Sequence, residues 1–180
     1  MSRSALFSVP ASNQLVAYLV LHDARASYNE LRVAQGEDWR RSWISTVTFL
    51  RCVGHVLDKV DGKNNNKARA VINEWWKQLK ESKPDPAIFW GFIESERNTA
   101  LKAYSSSVRV EIKPTSEENS RIKFSAKGPA LSMIPGPGSI AKFLYTEAPF
   151  ENRDPVELVY EAIEWWTIQL NLIEEQIASS

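Results

Sequence analysis

The segment from Asp154 onward constrains the fold more than any other part of this chain. Val156, Val159, Ile163, Trp166, Leu170, Ile173 and Ile177 recur at alternating steps of three and four residues. That spacing puts all seven on one stripe of a single long α-helix. Asp154, Pro155 and Glu157 supply its start: a capping carboxylate, a proline at the first turn, and an acidic side chain where the helix dipole favours one. The same segment carries six acidic side chains and no Lys or Arg. Such a helix presents an acidic outer face and must bury its apolar seam, against other helices of this chain or against a second copy.

The segments before it supply the other helices. One is expected from Ser12 to Gln35, with Ser12 or Asn13 as cap and Gly36 as stop. Within it Leu15 to Leu21 is apolar on every side, so a buried strand stands there as the alternative. Glu37 and Asp38 open a second helix. Its stripe of Trp39, Trp43, Val47, Leu50, Gly54, Leu57 and Asp61 keeps a helical rhythm until Asp61-Gly62 and the run Asn64 to Asn66 break it. A third helix spans about Asn66 to Glu81, with Val71, Ile72, Trp75, Trp76 and Leu79 inward. A fourth begins at Asp85-Pro86 and runs to about Tyr104. The period then changes to two. Val108, Val110 and Ile112 alternate with charged residues, as do Ile122, Phe124 and Ala126, around the polar loop Pro114 to Ser120. That pattern is a β-hairpin, and residues 139–146 are a candidate third strand. The fold class is therefore mainly α: one domain over 1–180, a bundle of four or five helices with a β-hairpin and loop insertion at 106–150 before the last helix.

Composition narrows the function. A chain of 180 residues with 43% apolar and 24% charged side chains can stand on its own core. Twenty-two cations balance 22 anions, so bulk charge favours neither a general nucleic-acid binder nor a polybasic membrane anchor. No apolar run approaches the roughly 18 residues of a membrane span. The run Leu15 to Leu21 lies between polar residues upstream and His22, Asp23 and Arg25 downstream, which suits a helix better than a signal peptide. Cys52 is the sole cysteine, which suits a reduced cytoplasm. His22 and His55 have no zinc-like spacing, and neither metal nor cofactor is expected. The seven tryptophans suit core seams, and also the wall of a pocket or an interface. Arg109, Lys113, Arg121, Lys123 and Lys127 make the hairpin locally basic, a surface for an anionic partner or a charged edge that blocks aggregation.

One polar constellation stands out. On a helical projection of Ile88 to Tyr104, Glu96 falls near the centre of the apolar arc and Arg97 on its flank. A carboxylate buried there needs a strong partner. Arg51 on the second helix is the candidate, and Arg51 and His55 are adjacent there at a spacing of four. Together Arg51, His55, Glu96, Arg97, Asn98 and Tyr104 form a candidate ligand-binding cleft between helices.

The run Phe92-Ile93-Glu94-Ser95-Glu96-Arg97-Asn98-Thr99-Ala100-Leu101-Lys102-Ala103-Tyr104 resembles the signature helix of the HEPN superfamily. The resemblance implies a helical bundle that binds RNA or a nucleotide, with ribonuclease activity where the motif is complete. Arg97 and Asn98 match that motif. Lys102 stands where its histidine would be, and lysine exchanges protons poorly near neutral pH unless its pKa is strongly depressed. The expected function is thus RNA or nucleotide binding without efficient cleavage. If there is catalysis, its candidates are Arg97, Asn98, Lys102 and His55. Two other readings remain open: a protein-interaction or dimerisation module using the last helix, and a tryptophan-lined small-molecule site.

Overall fold

A computed structural model describes residues 15–64, 66–114, 124–127 and 139–180. Among them are five helices and one three-stranded antiparallel sheet. Helix α1 spans Ala17–Leu31. Helix α2 spans Gly36–Val56 and continues through a π-helical turn, Leu57–Asp61, into a last turn at Gly62–Asn64. Helix α3 is Asn66–Glu81. A π-helical segment, Ile88–Glu94, runs directly into α4, Ser95–Lys102. Strands β1 (Val108–Pro114), β2 (Phe124–Lys127) and β3 (Ser139–Tyr145) follow, then α5, Pro155–Ser179.

Helix α5 is the hub. Its N-cap forms as the sequence implies: Pro155 takes the first turn and Asp154 accepts a hydrogen bond from the Val156 amide at 2.8 Å. Leu158, Val159, Ala162, Ile163, Trp166, Leu170 and Ile173 are buried, packed against α1, α2, α3 and the π-helical segment. The seam is therefore covered within the chain. Helix α1 lies along α5 in the opposite direction. Tyr18 donates to Asn171 at 2.6 Å, Arg25 to Thr167 at 2.7 Å, and the rings of Tyr28 and Tyr160 lie 6.2 Å apart. Phe89, Trp75, Trp76, Trp165 and Trp166 form one aromatic cluster between α3, α5 and the π-helical segment.

The start of α1 departs from the sequence expectation. The proposed caps Ser12 and Asn13 lie outside the described residues. The helix begins at Ala17, where both Asp61 oxygens accept backbone amides, from Val16 at 2.8 Å and Ala17 at 3.0 Å. The cap thus comes from 44 residues further along the chain. From Ala17 onward the apolar run is helical, and no part of it is a strand. Gly36 does not stop α1. The helix ends at Leu31, and Gly36 opens α2 with a φ of 56°, a left-handed conformation that favours glycine.

The insertion is a sheet of order β2-β1-β3. Val110 pairs with Ala126 on one side and Phe143 on the other. Val108 and Val110 are buried, as alternation requires. Phe143 stacks on Trp39 at 4.4 Å, and Trp39 stacks on Trp43 at 5.3 Å, so β3 is fastened to α2 through aligned aromatic rings. Residues 115–123, which hold most of the expected hairpin loop together with Arg121, Ile122 and Lys123, lie outside the described residues. The basic surface is therefore only partly in view. Arg109 is engaged within the fold, donating to Glu111 at 3.3 Å and to Asn152 at 2.6 Å.

Candidate functional site

Glu96 is fully buried, with no solvent exposure at all. Its partner is not Arg51. Three neutral donors from three elements converge on the carboxylate. Trp43 Nε1 on α2 reaches Oε1 at 2.9 Å, and the Tyr145 hydroxyl on β3 reaches Oε2 at 3.3 Å. The Ser107 amide, just before β1, lies 3.1 and 3.3 Å from the two oxygens. Burial, reinforced by the adjacent Glu96 charge, pushes the Tyr145 phenol well above its ordinary range and keeps it a donor. Glu96 therefore ties α2, α4 and the sheet together and is closed to any ligand.

Arg51 faces Glu94 instead, at 4.0 Å, with its guanidinium 5.9 Å from the Phe89 ring centre. The reason is the π-helical segment Ile88–Glu94. Its i→i+5 bonds turn the chain less per residue than an α-helix. A projection at the α-helical angle therefore misplaces what the segment shows to α2. Glu94 meets Arg51, and Glu96, one α-helical residue beyond the junction, turns under the sheet.

The remaining residues of the expected cleft divide. Arg97 is half-buried and donates to its neighbour Asn98 at 3.1 Å. Lys102 is exposed. Tyr104 is exposed, has a φ of 47°, and accepts a hydrogen bond from Arg40 at 2.7 Å. Arg51 and His55 lie together elsewhere, on the wall of a groove of about 570 Å³ between α2 and α3. Arg97, Asn98, Lys102 and Tyr104 do not line it. The single cleft expected from the sequence is thus two separate places and one sealed core residue.

The groove exists because α3 leaves α2 soon after the turn that joins them. It packs on the π turn Leu57–Asp61 and on α5 rather than along α2, and Arg69 Nε fastens the turn by donating to the Gly62 carbonyl at 3.1 Å. Arg51, Gly54, His55 and Asp58 form one wall. They are spaced as one face of α2. Asn73, Trp76, Lys77, Lys80 and Glu81 form the other, spaced as one face of α3. The floor lies at Gly54. A Cβ there would sit 3.0 Å from the Trp166 ring and 3.2 Å from the Trp76 ring, so only glycine lets both indoles meet the helix backbone this closely.

Much of the hydrogen-bonding capacity in this groove is free. Among the described residues Lys80 and Glu81 enter no ion pair, Lys77 has only a loose contact with Glu74 at 3.9 Å, and Arg51 only the 4.0 Å approach to Glu94, while Asp58 is paired with Lys59 at 2.7 Å. The Trp76 indole N–H is buried with no acceptor. Sequence reasoning found Arg51 and His55 but missed Asn73, Lys77 and Lys80. Their steps of three and four on the polar side of α3, beside Trp76, were the available signal. A second hollow of about 440 Å³ lies near Ser106 and Thr146. Three of its hydroxyls already serve the backbone: Thr99 donates to the Ser95 carbonyl, Thr146 donates to the Ser107 carbonyl, and Ser106 accepts from the Val108 amide.

Among the described residues no three His, Cys, Asp or Glu side chains gather closely enough to hold a metal ion, and no helix is long and apolar enough to cross a membrane. No family model, curated protein or solved structure matches the chain.

Proposed function

We propose that this chain is a helical RNA- or nucleotide-binding protein of HEPN-like character that holds its ligand in the α2–α3 groove and does not cleave RNA efficiently. One observation carries the reading. Arg51, His55, Lys77 and Lys80 face a common groove beside Trp76, with little intramolecular pairing to satisfy them. Arginine and lysine are the usual phosphate contacts, and an indole supplies a surface for a base. The expectation of no efficient cleavage rests on Lys102, which stands where the resemblance calls for a histidine, and on His55 lining the α2–α3 groove while Arg97 does not. Titrating labelled single-stranded RNA and mononucleotides into the protein at low and moderate salt tests the proposal. Binding should weaken with salt and with Lys80→Gln. Binding that responds to neither Lys80→Gln nor Arg51→Gln would remove the groove as the site.

A second reading, dimerisation through α5, is favoured by one feature. Tyr160, Ile168 and Leu172 are exposed along the outer face of that helix, at spacings of eight and four residues. Light scattering across a concentration series decides it: a monomer at every concentration ends the dimer reading.

A further inference from the structure

On the reading that the α2–α3 groove is the ligand site, we infer that its ligand is a nucleoside monophosphate, a single phosphate on a hydroxyl-bearing nucleoside, rather than an RNA chain. Four observations converge on this class. The first is the order of charges. Both helices run away from the turn at Gly62–Asn64, so Asp58 and Asn73 lie at the inner end of the groove. His55, Trp76 and Lys77 come next, and Arg51, Lys80 and Glu81 lie at the mouth. The cations are therefore bracketed by a carboxylate at each end. One phosphate fits between the brackets. A phosphodiester chain continuing past the mouth would bring further phosphates against Glu81, which has no ion-pair partner among the described residues, and like charges at close range are repulsive.

The second observation is the chemistry of the inner end. Asp58 pairs with Lys59 through Oδ2 at 2.7 Å and keeps Oδ1 as an acceptor, and the Asn73 amide both donates and accepts. Ribose hydroxyls and base amino groups are the donors that match a carboxylate. The third is size. About 570 Å³ lies inside the range of small-molecule sites, and the lining runs only from Asp58 to Arg51 on one wall and from Asn73 to Glu81 on the other. The fourth is Trp76, a half-buried indole on the wall whose ring offers a surface for a base.

Calorimetry on the full chain tests this directly. The probes are AMP, GMP, CMP and UMP, the parent nucleosides, inorganic phosphate, and a ten-nucleotide RNA without terminal phosphates. One of the four monophosphates should bind at one per chain, at least about ten-fold more tightly than inorganic phosphate, its own nucleoside or the RNA. Lys80→Gln, at an exposed position, should weaken that binding about ten-fold without changing the melting temperature. Arg51→Gln should do the same, its fold being checked by circular dichroism because Arg51 touches Phe89 and Glu94. Asp58→Asn should weaken the monophosphate and leave inorganic phosphate unchanged. If the RNA binds more tightly than every monophosphate and responds to Lys80→Gln, the inference is overturned while the groove reading stands. If inorganic phosphate binds as well as the best monophosphate, the groove holds phosphate alone and the inference is overturned. If no probe binds, the inference and the reading beneath it both fall.

Discussion

Trp43 donates its indole N–H to Glu96 Oε1 over 2.9 Å, in a place where neither side chain has any exposure to solvent. A buried carboxylate without a cation depends on such donors, because an ionised group left short of hydrogen bonds in the interior is costly. Trp43→Phe removes the donor and part of the ring that Trp39 stacks on. It should lower stability by about 3 kcal/mol, read in urea unfolding. Combining it with Glu96→Gln should cost less than the two changes summed, by about 1 kcal/mol, because the pair acts as one unit. Strict additivity would mean that the bond contributes nothing.

Asp61 plays the corresponding part at the other end of α2. Asp61→Ala strands the Val16 and Ala17 amides at the start of α1, and should cost about 2 kcal/mol, the upper end for loss of a helix cap. Amide hydrogen exchange should quicken first in α1 and leave α5 protected. Uniform loosening of the whole bundle would show that Asp61 does more than cap one helix.

The tyrosines set the alkaline limit. Burial and the neighbouring Glu174 raise Tyr18 to about 12, and burial with Glu96 raises Tyr145 further. A phenol whose folded pKa lies above its unfolded value contributes stability that is fully present below the ordinary value of 10.0. That contribution is lost as pH rises through the folded value. Stability should therefore fall between pH 10 and 12, and Tyr145→Phe should fall less steeply over the same window. Absorbance in the phenolate band should show both phenols still protonated at about pH 11 while the protein is folded. Parallel pH profiles for wild type and Tyr145→Phe would contradict the assignment.

The sequence makes the helices and the sheet legible because each has a clean period. α3 spans the expected Asn66 to Glu81, α5 starts at the expected Asp154 cap, and Val108, Val110 and Ile112 fall on β1. Glu96 was legible as buried, since a carboxylate at the centre of an apolar arc has nowhere else to go. Asp61 stands at the end of the α2 stripe, but the sequence shows it only as part of the turn that breaks the helix. What no single helix period encodes is a contact across elements. Asp61 meets α1, and Glu96 meets a tryptophan, a backbone amide and a tyrosine far along the chain. The π-helical segment before α4 breaks the projection on which the Glu96–Arg51 pairing rested. The groove was half legible: Arg51 and His55 share a helix face, but Asn73, Lys77 and Lys80 join them only because α3 swings away from α2.

Gly54 joins the core to the groove, and its substitution separates packing from binding. Gly54→Ala places a methyl 3.0 Å from the Trp166 ring and 3.2 Å from the Trp76 ring, tighter than ordinary contact. Overpacking of this kind costs about 1–3 kcal/mol, and alanine returns roughly 1 kcal/mol through its better helix propensity. The net loss should be about 1 kcal/mol, a fall of roughly 2–4 °C in melting temperature for a chain of this size. Trp166 lies in the core and cannot retreat, so Trp76 must shift and the groove must change shape. Nucleotide binding should then weaken in Gly54→Ala although no polar group of the groove has been touched. Lys80→Gln gives the converse, weakened binding at wild-type stability. If Gly54→Ala lowers the melting temperature and binding is unaltered, Trp76 is no part of the site and the ligand rests on the charged wall alone.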